Sequence, residues 1–243
     1  MKFALIPILL ALTGGISPLC AQMAQKSDAD STAASDAAAL PQQTYGRVEH
    51  GDYVSPTGLY RLKVPVLAGL GGTISDTPNV VTFDDDYTVH ISIAAFPLAR
   101  ELKSDLETRG VQDFLLHFFD SIVMPDFISN FPGSTREPKV VFLPHVADGA
   151  VLLFSLHPGG SNFEARSTIF PKSPKEKVVA KRGNLCFIKY DHIFVISTEL
   201  AERALERSTY SKTPEEEDAI LHDRLINLVG KIEFSPQKPA SPN

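Results

Sequence analysis

The most constraining feature of this chain is a change of period. Over residues 87–96, Val89, Ile91, Ile93 and Ala95 fall at every second position, with Thr88, His90 and Ser92 between them. That alternation predicts a long strand with distinct faces. After Pro97 the step lengthens. Leu98, Leu102 and Leu106 recur every fourth residue, and beyond Gly110 the residues Phe114, Leu115, Phe118, Phe119, Ile122 and Val123 form a helical apolar stripe. Pro125 is expected to stop or kink that helix.

Strand patterning brackets the helical region. Residues 45–49, 52–54, 59–64 and 79–83 precede it, and 139–143, 150–157, 185–190 and 193–198 follow, the last two as a hairpin around Asp191 and His192. Ser55-Pro56-Thr57-Gly58 carries turn chemistry, and residues 68–78 read as a Gly- and Thr-rich loop. A closing helix is marked by Thr213 as N-cap, Pro214 at the first position and Glu216 completing a capping box. Leu221, Leu225, Leu228 and Ile232 give it an apolar face, with Gly230 near its end and a short strand after it. Strands, helical hairpin, strands, helix predict an α+β fold. Its form is an antiparallel sheet with helices packed against it, in a single domain over residues 45–234.

The flanks differ from the domain. Residues 1–21 combine Lys2, a short apolar run and a small-residue exit, the pattern of an export signal cleaved after Ala21. That run is too short to span a bilayer. Cys20 sits where a lipid anchor would attach, but Leu19 before it is not the small residue a lipoprotein signal uses, so removal with the signal is expected. Residues 22–44 are an Ala/Ser/Asp-rich linker, and 235–243 a Pro-rich tail. Loss of residues 1–21 removes one lysine and no acid, moving the formal charge from -6 to -7. This acidity argues against a nucleic-acid partner. With Cys20 gone, only Cys186 remains, and the core must hold the fold without a disulfide.

The domain resembles the PsbP-like family of secreted α/β sandwich proteins, which includes DcrB-type envelope proteins. The likeness rests on the opening Tyr53-x-Ser55-Pro56-x-Gly58-Leu59-Tyr60-x-Leu62-x-Val64-Pro65. It also rests on the strand at 87–96 running into helices, and on the closing helix leading to Ile232-Glu233-Phe234. The resemblance implies an antiparallel sheet flanked by helices, an α/β/α sandwich, and a mostly non-enzymatic binding or assembly role. It supplies no catalytic residues. Residues 161–181 are longer than the family pattern and read as an insertion.

Candidate sites follow from residue chemistry. Gly69, Gly71, Gly72 and Thr73 suggest a partner-binding edge, since the loop lacks the Lys-Ser/Thr of a nucleotide cradle. Lys175, Lys177 and Arg182, with Lys172 and Lys181, form a basic excursion. Asp84, Asp86 and His90 are the nearest approach to a metal set, His90 being the imidazole placed to share a face with Asp86. The triple aspartate otherwise reads as a hairpin turn. Among the seven histidines, His145 and His157 flank one strand pair and are placed to meet, though most read as solvent-side residues. Cys186 lies in an apolar strand and reads as core. No cofactor is indicated.

The leading expectation is a non-enzymatic exported protein, periplasmic or extracellular, that binds an envelope protein or a small ligand. Two alternatives remain: a small hydrolase or metal-dependent enzyme using Asp84, Asp86, His90 or His157, and a carrier of an apolar ligand behind the Phe114–Phe119 stripe.

Overall fold

The computed structural model describes residues 44–163, 178–206 and 209–236. The expected export signal, the expected linker before Thr44, most of the tail, and Lys172, Lys175 and Lys177 lie outside the described residues. The expected antiparallel α+β architecture is present. Among the described residues eleven strands form two sheets: a small one ordered β1-β2-β3-β11 and a large one ordered β4-β5-β6-β10-β9-β8-β7. All pairings are antiparallel.

The small sheet comprises β1 (Arg47–Glu49), β2 (Asp52–Val54), β3 (Tyr60–Lys63) and β11 (Glu233–Phe234). The large sheet comprises β4 (Thr73–Asp76), β5 (Val80–Asp84), β6 (His90–Pro97), β7 (Thr135–Leu143), β8 (Ala150–Pro158), β9 (Val179–Lys189) and β10 (His192–Glu199). Strand β10 sits at its centre and is buried along its whole length. Ile193 and Val195 face one layer, Phe194 and Ile196 the other. Two buried faces explain why this strand reads as a nearly unbroken apolar run.

One face is covered by α1 (Arg100–Arg109), α2 (Val111–Phe118) and α3 (Met124–Asn130). Phe114, Leu115, Phe118 and Phe119 pack there on Ala94, Val151, Leu153 and Val195. Pro125 does not end the helical run. Phe119–Val123 forms a π-helical turn, and Pro125 falls in the first turn of α3 directly after it.

The other face is covered by the small sheet and α5 (Pro214–Val229). The predicted capping box is present: Thr213 Oγ1 accepts the Glu216 N–H at 3.3 Å and Glu216 accepts the Thr213 N–H at 2.8 Å. Leu221, Leu225 and Ile232 are buried, while Leu228 is only half-buried. A short helix, α4 (Glu202–Glu206), precedes α5 and carries no apolar period long enough to be read from sequence.

The expected loop at 68–78 is instead a 3-10 turn, Ala68–Leu70, followed by β4. The basic excursion also ends early, because Lys181 and Arg182 belong to β9 and are buried.

Candidate functional site

A groove of about 890 Å³ lies between β3, the start of β6 and α5. It exists because the two elements covering this face of the large sheet do not meet at its β6–β10 end. Ile91 of β6, with Val89 just before it, forms the half-buried floor; Val64 and Pro65 wall one side, Ile220 and Leu228 the other. Three cations stand at the rim: Lys63 on β3, Lys231 after α5, and Arg224 on α5. Arg224 pairs with Glu202, and Asp223 on the same rim pairs with His222 at 2.9 Å. Lys63 and Lys231 make no ion pair among the described residues.

Helix α5 is fixed in place through Glu217, Asp218, Leu221 and Leu225 of its buried face. Lys181, 1% exposed, reaches from β9 to three carboxylates: Asp218 at 2.6 Å, Glu137 at 3.0 Å and Glu217 at 3.3 Å. Burial alone pulls its ammonium down, but the hydrogen bonds and charges of Asp218 and Glu137 outweigh it and hold it above the ordinary lysine value. One turn further, α5 lies over Gly183. Lys181 is therefore a tether for the groove wall and not part of an exposed basic surface.

The Gly69–Thr73 loop packs on the β5–β6 hairpin, where the Asp86 N–H donates to the Leu70 carbonyl at 3.1 Å. Gly71, at φ 72°, ends the 3-10 turn, with its N–H on the Ala68 carbonyl at 3.0 Å. Gly72 donates to the Leu67 carbonyl at 2.9 Å, and a Cβ there would sit 2.6 Å from that oxygen. The glycines thus serve a tight turn. Asp86 lies directly against Gly71, an arrangement that repels a phosphate. Leu67, Leu70 and Tyr87, all exposed, give the loop an apolar surface beside groove residues Pro65 and Thr88.

On the helical face, period-two placement gathers a buried polar seam. Asp84 pairs with His90 across β5–β6, Oδ1 to Nδ1 at 2.6 Å, and Asn162 Nδ2 is 2.6 Å from the same nitrogen. Asp84, not Asp86, shares the face with His90, since it is the cross-strand partner. Asp85 makes the hairpin turn, accepting the N–H groups of Tyr87, Thr88 and Val89. No group of three or more potential metal ligands occurs among the described residues.

The seam continues through Glu199 to Arg182, 3.4 Å apart and both buried. The Arg182 guanidinium lies over the Phe127 and Phe131 rings and donates to the Gly160 carbonyl at 2.9 Å. Burial lowers its pKa, with Glu199 opposing. Arg182 is therefore no surface contact. His157, fully buried, is held between Ser134 Oγ at 2.9 Å and Ser155 Oγ at 2.8 Å. Burial first, then the positive charge of Arg182, brings its pKa down to about 3. His145 lies past the Leu143 end of β7 and His157 at the far end of β8, so the two do not meet. Asn184 and Ser197 complete the seam.

Cys186 is buried in β9 and burial drives its thiol well above the ordinary range, so it is core. Beneath the π-turn lies a cavity of only about 50 Å³, between Ile122, Val123, Phe127 and Ser92. It has room for water but not for a lipid tail. Sequence reading missed Lys63 and Lys231, and it placed Leu228 on the buried face of the closing helix, where it is half-buried at the groove. The one available signal was the position of Lys63 at the end of an alternating strand just before Pro65.

No family model matches the sequence, and no curated protein matches it. Several solved structures match, two of them as follows. One is a crystal structure of a Bacteroides thetaiotaomicron protein, 11% identical, TM-score 0.38, covering 79% of this chain. This chain spans 51% of that protein's length. The other is the Saccharomyces cerevisiae Ran-binding protein Mog1p, 10% identical, TM-score 0.44, covering 76% of this chain and 95% of its own. Both are distant, and nothing about this chain's ligand follows from them. No helix among the described residues is long and apolar enough to cross a membrane.

Proposed function

We propose that this chain is an exported binding module of the cell envelope whose ligand seats in the groove between β3, β6 and α5. The groove itself carries the reading. Its volume of about 890 Å³ lies within the range of ligand-binding clefts, roughly 300–1,000 Å³. It combines an apolar floor with a cationic rim, the pairing of burial and orientation that such sites use. The apolar Leu67, Leu70 and Tyr87 extend the contact surface beyond one end. The export signal supports the compartment, and the resemblance to PsbP-like proteins supports a binding role.

The groove favours this reading over a hydrolase, whose Asp84, His90 and His157 are enclosed under Asn162 and the Phe127–Phe131 segment. It also moves the apolar-ligand site to the opposite face of the sheet from the Phe114–Phe119 stripe.

The test is site-directed photocrosslinking in living cells, with a photoreactive residue at position 228 or 89 and a control at Glu107 on α1. Adducts confined to the groove positions, and lost with Val64→Glu, would support the module. Equal labelling at 107 would remove the site. Intact-mass measurement of the same material tests export: the mature chain should begin at Gln22.

A further inference from the structure

Resting on the groove reading, we infer that the occupant is an extended acidic peptide segment that adds to the small sheet as a strand beside β3. The argument begins with the alternation of the β3 backbone. The Val64 N–H donates to the Gly51 carbonyl at 2.9 Å, and the Tyr60 carbonyl accepts the Ser55 N–H at 3.0 Å. The polar groups of Tyr60, Leu62 and Val64 are therefore turned toward β2, and those of Arg61 and Lys63 away from it.

On that second side the partner is β11, which stops short. It pairs Phe234 with Tyr60 and Glu233 with Arg61. The chain reaching it from α5 bonds back to its own helix, Lys231 N–H to the Leu228 carbonyl and Ile232 N–H to Val229. The ladder thus ends before Lys63, whose N–H and C=O are turned to the groove side. β3 lies between β2 and β11, and beyond β11 Lys63 is its one free donor, since Val64 bonds to Gly51 and Pro65 has no N–H; that position is a short template for an added strand.

The side chains around this edge set the chemistry of the guest. One face of an added strand would lie over Val89 and Ile91 and against Leu228. Its polar side chains would meet Lys63 and Lys231, two cations without an ion pair among the described residues, on a chain whose formal charge is -6. Alternating apolar and acidic residues satisfy both requirements; a basic segment satisfies only the first. A long-chain carboxylate would use the same floor and cations but has no use for the Lys63 N–H, and that difference makes the two separable.

The test pans a random peptide display library on the processed chain, then measures the selected peptide by fluorescence anisotropy. The same titration is run with a backbone N-methylated version of that peptide and with a dansylated long-chain fatty acid. Expected results are enrichment of alternating apolar and acidic residues, and a ~10-fold or greater loss of affinity on N-methylation and with Lys63→Glu. Lys63→Pro, which removes the groove-side donor and leaves the bonds to β2, should weaken binding beyond Lys63→Met. If Lys63→Pro does not fold, the N-methylated peptide decides. Binding of the fatty acid but no peptide, or indifference to N-methylation, overturns strand addition and leaves the groove standing. Binding of neither probe, or binding unaffected by Leu228→Glu, overturns both.

Discussion

Gly183 lies directly beneath Leu225: a Cβ on the glycine would stand 2.9 Å from the Leu225 Cδ1 and 3.0 Å from the Leu221 Cβ. Strand β9 thus lets α5 approach closer than any side chain at 183 would allow, and the far wall of the groove is set by that approach. Gly183→Ala should destabilise the protein by about 1–3 kcal/mol through overpacking. Adding Leu225→Ala should recover part of the affinity for a groove ligand, though not all the stability. Thermal melts and ligand titrations of the two variants check this. An unchanged melting temperature in Gly183→Ala would show that α5 can shift without strain.

Lys181 is the second determinant of that wall. Its ammonium neutralises a pocket shared by Glu137, Glu217 and Asp218, and Glu217 also contacts Arg203 at 3.3 Å and the Tyr210 hydroxyl at 2.7 Å. Lys181→Met leaves those carboxylates clustered around an apolar group and should cost about 3–5 kcal/mol. Glu217→Gln in that background should restore some of the loss by removing a charge. Chemical denaturation at neutral pH reads both; an additive pair would mean that the groups are not coupled.

Much of this fold was legible in local pattern. The alternation through Ile91, Ile93 and Ala95 gave β6 and its faces, and Thr213 with Glu216 gave the start of α5. What stayed hidden depends on partners far away in the chain. Lys181 and Arg182 read as a solvated basic stretch because charge by itself signals exposure. Only Glu137, Asp218 and Glu199, brought in by β7, α5 and β10, make their burial tolerable. The groove is of the same kind. No segment encodes it, since β3, β6 and α5 each show an ordinary amphipathic pattern and the cleft is the space their packing leaves. The unfinished edge at Lys63 likewise depends on where β11, some 170 residues later, stops pairing.

His157 gives the fold a defined acid sensitivity. Its pKa falls from 6.5 to about 3 on folding, so above pH 6.5 it is neutral in both states and imposes no cost. As pH drops below 6.5 the unfolded chain takes up the proton and the folded chain does not, and stability declines until the pH reaches the folded value. The full effect is on the order of 3–5 kcal/mol. Melting temperatures from pH 7.5 to 4 should therefore fall more steeply in the wild type than in His157→Gln, which cannot titrate. Parallel slopes would place the acid sensitivity elsewhere.

Arg182 and Glu199 offer the sharpest separation of scaffold from site. Both are enclosed on the helical face, and Glu199 also accepts from Ser161 Oγ at 2.6 Å and the Asn162 N–H at 3.3 Å. Removing one charge strands the other in a poor solvent, so Glu199→Ala should destabilise by about 3 kcal/mol or more. The groove, however, opens on the opposite face of the sheet, and neither residue lines it. At a temperature where Glu199→Ala is still folded, affinity for a groove ligand should match the wild type, whereas Leu228→Glu should lose affinity with little change in melting temperature. A folded Glu199→Ala protein that has lost binding would put the ligand on the polar seam and return His90, Asp84 and His157 to the centre of the function.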